Sequence, residues 1–311
     1  MSWAFVFPGQ GSQSVGMMSA LAALSPVIES TFADASEVLG YDLWRRCQEG
    51  PAEALGATEC TQPAMLAAGV STYRLWRERG GAVPAMMAGH SLGEISALVA
   101  AGCLDFKTAV DLVRFRAEAM QTAVPQGEGA MAAILGLEDI DVEAACQEAS
   151  LAGVVEAVNF NSPGQVVIAG TVAAVTQAVE AAKARGAKRA MLLSVSVPAH
   201  SSLMRPAALK LQERLAVTPV GEPVGVSIYG VDACVHLRPD ELRASLVKQL
   251  QTPVYWAATV RTMIAAGATR IIECGPGKVL TGLNRRVDKN RELKMLALED
   301  PASLSEALSV P

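Results

Sequence analysis

The sequence predicts an α/β fold, in which helices pack on the faces of a sheet. Three short apolar runs, at residues 3–7, 83–88 and 269–273, predict buried strands, and each ends in a turn rich in glycine. Longer segments with the spacing of amphipathic or buried helices alternate with these strands. Those segments are residues 63–79, 92–101, 108–124, 205–215 and 255–266. Alternation of this kind is typical of an α/β domain.

A different order of elements, between about residues 127 and 196, predicts a small inserted domain. The order is strand, helix, strand, strand, helix, strand, which is the βαββαβ order of a ferredoxin-like unit. The segments are residues 130–135, 141–150, 154–159, 165–169, 172–185 and 190–195. The turn Asn161-Ser162-Pro163-Gly164 is a hairpin signal between the two central strands. We therefore predict a ferredoxin-like subdomain at residues 127–196, inserted into a larger domain of residues 1–126 plus 197–311.

Composition and charge exclude several classes of protein. The chain has 311 residues, 51% of them hydrophobic, which is enough for a large core and excludes a disordered or fibrous protein. The net charge is −5 and no dense basic run occurs, so a nucleic-acid partner is not expected. Six scattered cysteines without a CxxC pair predict no zinc site and favour free thiols in a reducing cytoplasm. No cationic leader or bilayer-length apolar stretch is evident, so we expect a soluble cytoplasmic protein without membrane contact.

The segment Gly89-His90-Ser91-Leu92-Gly93 predicts a catalytic serine. It follows a predicted strand and precedes a predicted helix, which is the context that a nucleophile elbow requires. The glycines permit a turn tight enough to push the serine hydroxyl outward. A glycine-rich turn could also carry a serine for structural reasons alone, but motif and context together favour Ser91 as a nucleophile.

A nucleophilic serine needs a base, and the chain contains three histidines. His90 ends a strand beside Ser91, so its side chain should point to the opposite face and support the turn. His236 lies in a polar connection and is expected on the surface. His200 lies between a predicted strand and a predicted helix, where a loop could carry it over the sheet. Elimination therefore leaves His200 as the base.

The residues alone do not decide what orients the histidine, nor what the segment 7–13 does. No acidic residue stands out as the third member of a triad, so a backbone carbonyl could hold the histidine instead. The glycine-rich segment 7–13 lacks the Lys-Ser/Thr of a phosphate-binding loop. It could supply a backbone amide to an oxyanion, or it could be an ordinary turn between a strand and a helix.

Taken together, the motifs resemble those of the malonyl-CoA:acyl carrier protein transacylase family of fatty acid synthesis. They occur in family order over nearly the whole chain, which makes the resemblance far more specific than GxSxG alone. The matching strings are FPGQGSQ at 7–13, TQPA at 61–64, GHSLGE at 89–94, Arg116, GAMAAILG at 129–136, NFNSPGQVVIAG at 159–170, VPAHSSLM at 197–204 and ECGPGKVL at 273–280.

The resemblance implies a role for each matching position. Ser91 would be the nucleophile and His200 the base, with the backbone amides of Gln10 and Leu92 as the oxyanion hole. The backbone carbonyl of Gln249 would orient the histidine. The implied fold is an α/β-hydrolase-like large domain with the ferredoxin-like insertion, and the implied protein is a monomer that needs no metal or redox cofactor.

The resemblance also implies the substrates. Arg116 would bind the free carboxylate of a malonyl group, which a planar guanidinium can grip through two parallel hydrogen bonds. Acetyl-CoA should then be a poor donor. Arg116 could instead belong to a solvated helix face together with Arg114, the usual place for arginine. The second partner would be an acidic acyl carrier protein, received by one of two basic clusters, although the same charges could serve solubility alone. The clusters are Lys183, Arg185, Lys188 and Arg189, and Arg285, Arg286 and Lys289.

Three alternatives to malonyl transfer in fatty acid synthesis follow from the same residues. A serine hydrolase or thioesterase would share Ser91, the oxyanion hole and His200 but accept water. A transacylase of polyketide synthesis or malonate metabolism would use the same chemistry with another carrier. A non-catalytic scaffold would not need to retain both Ser91 and His200.

Overall fold

A six-stranded sheet forms the centre of the larger domain. The protein is described by a computed structural model that covers residues 2–195 and 197–309. Elements are numbered in chain order throughout. The strands of this sheet are β1 (Ser2–Phe7), β2 (Met86–Gly89), β7 (Ser227–Tyr229), β8 (Val235–His236), β9 (Ala268–Glu273) and β10 (Lys294–Ala297). Their spatial order is β10-β9-β1-β2-β7-β8, and every pair is parallel except β7 with β8.

Helices cover both faces of this sheet. They are α1 (Ser19–Ala22), α2 (Val27–Leu39), α3 (Leu43–Glu49), α4 (Ala52–Gly56), α5 (Thr58–Glu78), α6 (Gly93–Ala100), α7 (Phe106–Gln121), α10 (Arg205–Val217), α11 (Pro239–Lys248), α12 (Trp256–Ala265), α13 (Val279–Val287) and α14 (Pro301–Ser309). The central helix α5 is buried along most of its length, and its Trp76 packs 5.3 Å from the ring of Phe5 in β1. The opposite face is closed by α12 and α13, which pack their apolar side chains on β1 and β9. Within the part of the chain that the structure describes, no helix combines the length and apolar character needed to span a membrane.

The smaller domain confirms the predicted ferredoxin-like topology. Its elements are β3 (Gly129–Leu135), α8 (Asp139–Ala149), β4 (Val155–Ser162), β5 (Gln165–Thr171), α9 (Val172–Ala184) and β6 (Arg189–Leu192). The four strands are antiparallel in the order β4-β5-β3-β6, with the first and third strands of the unit at the centre. Pro163 and Gly164 form the predicted tight turn between β4 and β5. The domain boundaries at 126/127 and 196/197 stay a prediction, and Ser196 lies outside the described residues.

Backbone hydrogen bonds fix the two domains against each other. The amide of Phe160 donates to the carbonyl of Val254 at 2.9 Å, and the amide of Val254 donates to the carbonyl of Val158 at 2.8 Å. The rings of Phe160 and Tyr255 stack with their centroids 5.2 Å apart. One face of the small sheet is therefore held over the carboxyl ends of β1 and β2, where ligand sites of parallel α/β sheets form.

Several predicted boundaries were wrong for identifiable reasons. The helix expected to begin at Pro63 begins at Thr58, and Pro63 lies inside it. The strand expected at 83–88 is Met86–Gly89, since Val83 is exposed and Pro84 has no amide to donate to a ladder. The last strand of the small domain ends at Leu192 rather than at residue 195. The sequence reasoning also missed the short strands β7, β8 and β10 and several helices, among them α2 and α13.

Candidate active site

The segment after β2 is a sharp turn that ends in helix α6. Ser91 has φ of 54°, a left-handed conformation that is uncommon for a residue with a side chain and is typical of a nucleophile elbow. A Cβ atom on Gly89 would lie 1.8 Å from the carbonyl carbon of Gly93, and one on Gly93 would lie 2.0 Å from the carbonyl oxygen of Phe7. Both glycines of the motif are therefore required by close backbone packing.

The loop after β1 lies beside this turn. The amide of His90 donates to the carbonyl of Phe7 at 3.0 Å, which joins the end of β1 to the elbow. Gln10 and Leu92, the two residues predicted to supply oxyanion-hole amides, both line one cavity together with Ser91. Leu92 stands immediately before α6, so its amide belongs to a helix N-terminus, where backbone N–H groups favour negative charge.

This cavity has a volume of about 330 Å³ and lies between the two domains. Its floor carries polar groups of the larger domain, including Gln62, Ser91, Arg116 and His200. Its opposite wall comes from the small sheet and from α13, with mostly apolar side chains. Those wall residues include Met131, Ala133, Val167, Leu193, Val279, Leu280 and Leu283. A mainly apolar pocket with a few converging polar groups is typical of a small-molecule binding site.

His200 is held in one tautomer by a backbone carbonyl. The side chain is buried, and its Nδ1 lies 2.5 Å from the carbonyl oxygen of Gln249. Because a carbonyl only accepts, Nδ1 carries the proton and Nε2 is left with a lone pair. The pKa of His200 is lowered to about 3, chiefly by burial and also by the charge of Arg116, while the Gln249 hydrogen bond acts in the opposite direction. The imidazole is therefore neutral at physiological pH.

Arg116 is buried at the bottom of the cavity and is not on a solvated helix face. Its side chain donates from Nη1 to Gln62 Oε1 at 2.8 Å, and from Nη2 to Ser91 Oγ and Gln249 Oε1 at 3.1 Å each. The Nε atom is buried and has no hydrogen-bond partner among the described residues. Burial lowers the pKa of Arg116 to about 10, and Glu94 opposes that lowering, so the guanidinium remains charged at neutral pH.

Glu94 and Gln249 extend this polar network below the cavity. The Gln249 side chain accepts from Arg116 and donates from Nε2 to Glu94 Oε2 at 3.0 Å. Ser245 Oγ donates to Glu94 Oε1 at 2.7 Å. Gln249 therefore contacts the candidate base through its backbone and the buried arginine through its side chain. Gln249 thus links His200 to Arg116.

The other two histidines lie outside this arrangement, one as predicted and one not. His90 is buried, its Nε2 lies 2.8 Å from Asn161 Oδ1, and its ring packs against Trp256, so it supports the turn as expected. His236 was expected on the surface, and that prediction was wrong. Only 15% of its side chain is exposed, because the ring packs over Gly230 and pairs with Asp232 at 3.1 Å.

Comparison with known proteins places this site in a family. A family model described as an acyl transferase domain matches residues 4–298. The malonyl CoA-acyl carrier protein transacylase of Escherichia coli (strain K12) is 53% identical over 308 residues, which are 99% of each chain. The chain belongs to the malonyl CoA-acyl carrier protein transacylase family. Its relative of that name in Bacillus subtilis (strain 168) is 44% identical over 98% of this chain and 96% of its own.

Solved structures of transacylases share the whole fold with this acyltransferase. The acyl-carrier-protein S-malonyltransferase of Burkholderia pseudomallei 1710b superimposes with a TM-score of 0.96 at 53% identity, and all of both chains is covered. A malonyl-transacylase in complex with its type II PKS acyl-carrier protein superimposes with a TM-score of 0.97 at 50% identity, again over all of both chains. The α/β fold with its inserted ferredoxin-like domain is therefore the transacylase fold.

The two predicted basic clusters of this acyltransferase differ in their surroundings. In the small domain, Lys183 forms an ion pair with Glu180, and Arg185 forms one with Glu148. Both glutamates are exposed. In the other cluster, Arg286 Nη1 donates to the side chain of Gln165 at 2.6 Å, and Gln165 lines the cavity. The cluster on α13 therefore reaches the cavity rim.

Sequence reasoning missed three members of the polar network around Arg116 in this transacylase. Gln62, Glu94 and Ser245 are buried polar residues on the helices α5, α6 and α11. Gln62 and Glu94 lie within the strings TQPA at 61–64 and GHSLGE at 89–94. A polar residue on the buried face of an apolar helix was the available signal.

Proposed function

We propose that this acyltransferase moves a malonyl group from malonyl-CoA to the phosphopantetheine thiol of an acyl carrier protein. The observation that carries the proposal is the buried, charged guanidinium of Arg116, which lies 3.1 Å from the oxygen of Ser91. A buried cation is costly without an anionic partner, and a malonyl group would bring a carboxylate to this position. The names of the relatives agree with the same substrate.

The first half of the reaction forms a malonyl-serine ester. His200 Nε2 removes the proton from Ser91 Oγ, which attacks the thioester carbonyl of malonyl-CoA. The amides of Gln10 and Leu92 stabilise the oxyanion, and one such donor is worth about 3 kcal/mol of barrier in other enzymes. Collapse of the tetrahedral intermediate breaks the carbon–sulfur bond, and coenzyme A leaves with the proton from His200.

The second half repeats the same steps in reverse with another thiol. The carrier's phosphopantetheine thiol gives its proton to His200, attacks the ester carbonyl, and leaves as the malonyl thioester while Ser91 recovers its proton. Gln249 keeps His200 in the tautomer that both halves need, so it serves as a positioning residue. Every step uses groups of this chain and the two thiols alone.

A separate question is which biosynthetic pathway this malonyl transfer serves. We propose that the carrier belongs to fatty acid synthesis, as the names of the Escherichia coli and Bacillus subtilis relatives suggest. The complex of a malonyl-transacylase with a type II PKS carrier supports the polyketide alternative. We also propose a cytoplasmic location, since all six cysteines are free and five are buried. The expectation of a monomer stays a prediction.

Initial rates at varied malonyl-CoA and holo carrier test the proposal. Parallel double-reciprocal lines with malonyl-carrier as product would support the ping-pong transfer. Free malonate as the main product, formed at a rate independent of the carrier, would replace it with a hydrolase. Comparing holo carriers of fatty acid and polyketide synthesis under the same conditions would decide between the two pathways.

A further inference from the structure

Glu94 is a buried carboxylate to which the proposed reaction assigns no role. Its side chain is completely buried, and its two side-chain hydrogen bonds come from the neutral groups of Ser245 and Gln249. The hydrogen bonds of Arg116 likewise go to neutral oxygens, those of Gln62, Ser91 and Gln249. Across residues 2–195 and 197–309, neither charged group forms an ion pair within 4.0 Å.

One amide group separates these two opposite charges. Gln249 Oε1 accepts from Arg116 Nη2 at 3.1 Å, and Gln249 Nε2 donates to Glu94 Oε2 at 3.0 Å. The two charges act on each other without touching, because Glu94 raises the pKa of Arg116 and Arg116 lowers the pKa of Glu94. The pocket therefore contains a cation, Arg116, whose charge is partly balanced by Glu94 from the side away from the cavity.

We propose that Glu94 weakens the hold of Arg116 on the malonyl carboxylate, so that the malonyl group is released to the second thiol rather than trapped. This inference rests on the proposed function. The arriving carboxylate is attracted by Arg116 and repelled by Glu94, which carries the same charge on the other side of the guanidinium. A transacylase gains no turnover from binding the acyl group equally tightly before and during the reaction.

The surroundings of Glu94 let it respond to the ligand. The pKa of Glu94 is raised to about 7, chiefly by burial and also by the charge of Asp232. Hydrogen bonds from Ser245 and from the Val231 backbone, and the charge of Arg116, act in the opposite direction. Asp232 is itself paired with His236 and Lys248. A second carboxylate at Arg116 would raise the pKa of Glu94 again and favour its protonation.

Equilibrium binding in a non-reacting background tests the proposal. In Ser91→Ala protein, Glu94→Gln should tighten malonyl-CoA binding about tenfold at about pH 8, where the wild-type carboxyl is ionised. The same change should alter acetyl-CoA binding less than about twofold, since acetyl has no carboxylate. Glutamine keeps the size and an acceptor for Gln249, so the variant removes the charge and little else. Isothermal titration calorimetry measures both dissociation constants.

A matched control removes a charge that does not face the pocket. Glu118 lies on the same helix as Arg116 and is exposed, so Glu118→Gln in the Ser91→Ala background should leave both affinities unchanged. Malonyl-CoA affinity that is unchanged or weaker in Glu94→Gln overturns the inference and leaves the proposed function intact. Equal tightening for acetyl-CoA overturns it too. If Ser91→Ala protein itself shows no preference for malonyl-CoA, the proposed role of Arg116 fails instead.

A second measurement needs no change at Glu94. Titrations of Ser91→Ala protein near pH 7, in buffers of different ionisation enthalpy, report the protons exchanged on binding. Malonyl-CoA should bind with uptake of a fraction of a proton, and acetyl-CoA should bind with less. Identical proton exchange for both ligands contradicts the inference even if Glu94→Gln does not fold.

Discussion

The guanidinium of Arg116 donates a hydrogen bond to the hydroxyl oxygen of Ser91, with 3.1 Å between Nη2 and Oγ. A malonyl ester on Ser91 would carry its free carboxylate one methylene beyond the ester carbonyl. That carboxylate would lie close to the same guanidinium, whose Nε has no partner among the described residues. Under the proposed function, substrate selection and nucleophilic attack would therefore depend on one pair of neighbouring side chains.

Removing Arg116 should impair malonyl transfer far more than acetyl transfer. Arg116→Ala should lower kcat/KM for malonyl-CoA about 100-fold or more, since a desolvated charge pair is worth roughly 2–5 kcal/mol. The activity with acetyl-CoA should fall much less. Arg114→Ala, on the same helix but 42% exposed and paired with Asp111, is the control and should leave both activities near wild type. Equal losses with both donors would show that Arg116 does not recognise the carboxylate.

The pH response of His200 follows from its burial. Its folded pKa of about 3 lies below the unfolded value of about 6.5, so only the unfolded chain gains this proton at intermediate pH. The contribution of His200 to stability should thus be constant above about pH 6.5 and fall as the pH drops toward 3. NMR titration of the imidazole signals, assigned with His200→Ala, checks this. A His200 signal that titrates near pH 6.5 in the folded protein would refute the buried neutral base.

Two glycine-to-alanine substitutions, one in the elbow and one in α13, should have opposite effects on stability. Gly89→Ala would place a methyl group 1.8 Å from the backbone of Gly93, so the variant should lose about 1–3 kcal/mol of stability and most of its activity. Gly282 lies exposed inside α13 with no atom within 4 Å of an added Cβ. Gly282→Ala should gain up to about 1 kcal/mol. Thermal unfolding compares them, and equal stabilities would contradict the close packing described for the elbow.

Charge at the cavity rim should affect the carrier but not malonyl-CoA chemistry. Arg286→Glu should raise KM for an acidic holo carrier several-fold and reduce its dependence on salt, because rim charges act on encounter. The rate of malonylation of Ser91 should be unchanged. Lys183→Glu, in the cluster that is locally paired, serves as the comparison. A larger effect from Lys183→Glu than from Arg286→Glu would indicate that the carrier docks on the small-domain cluster instead.

Local sequence signals predicted the elbow and the small domain well. Ser91 lies in a turn whose glycines, preceding strand and following helix are all adjacent in the chain, so a short window contains the whole feature. The βαββαβ order and the Pro163-Gly164 turn are equally local. The start of α5 was wrongly predicted at Pro63, because proline favours the first turn of a helix. Here Pro63 lies inside the helix, where packing compensates.

The polar network below the pocket depends on contacts that no short window contains. Arg114 and Arg116 are alike in sequence, and only the packing of α7 makes one half-exposed and the other buried. Glu94 meets Ser245 across 151 positions of the chain and Gln249 across 155. Their shared role became visible only when tertiary structure brought α6, α7 and α11 together.

The most direct test of malonyl transfer through Ser91 is the intact mass of the protein after brief exposure to malonyl-CoA. The wild type should gain one malonyl group, Ser91→Ala should gain none, and acetyl-CoA should give little adduct. Added holo carrier should remove the adduct and appear as malonyl-carrier. A malonyl adduct that persists in Ser91→Ala, or malonyl-CoA that leaves the wild type unmodified while the carrier is still loaded, would contradict the malonyl-serine mechanism.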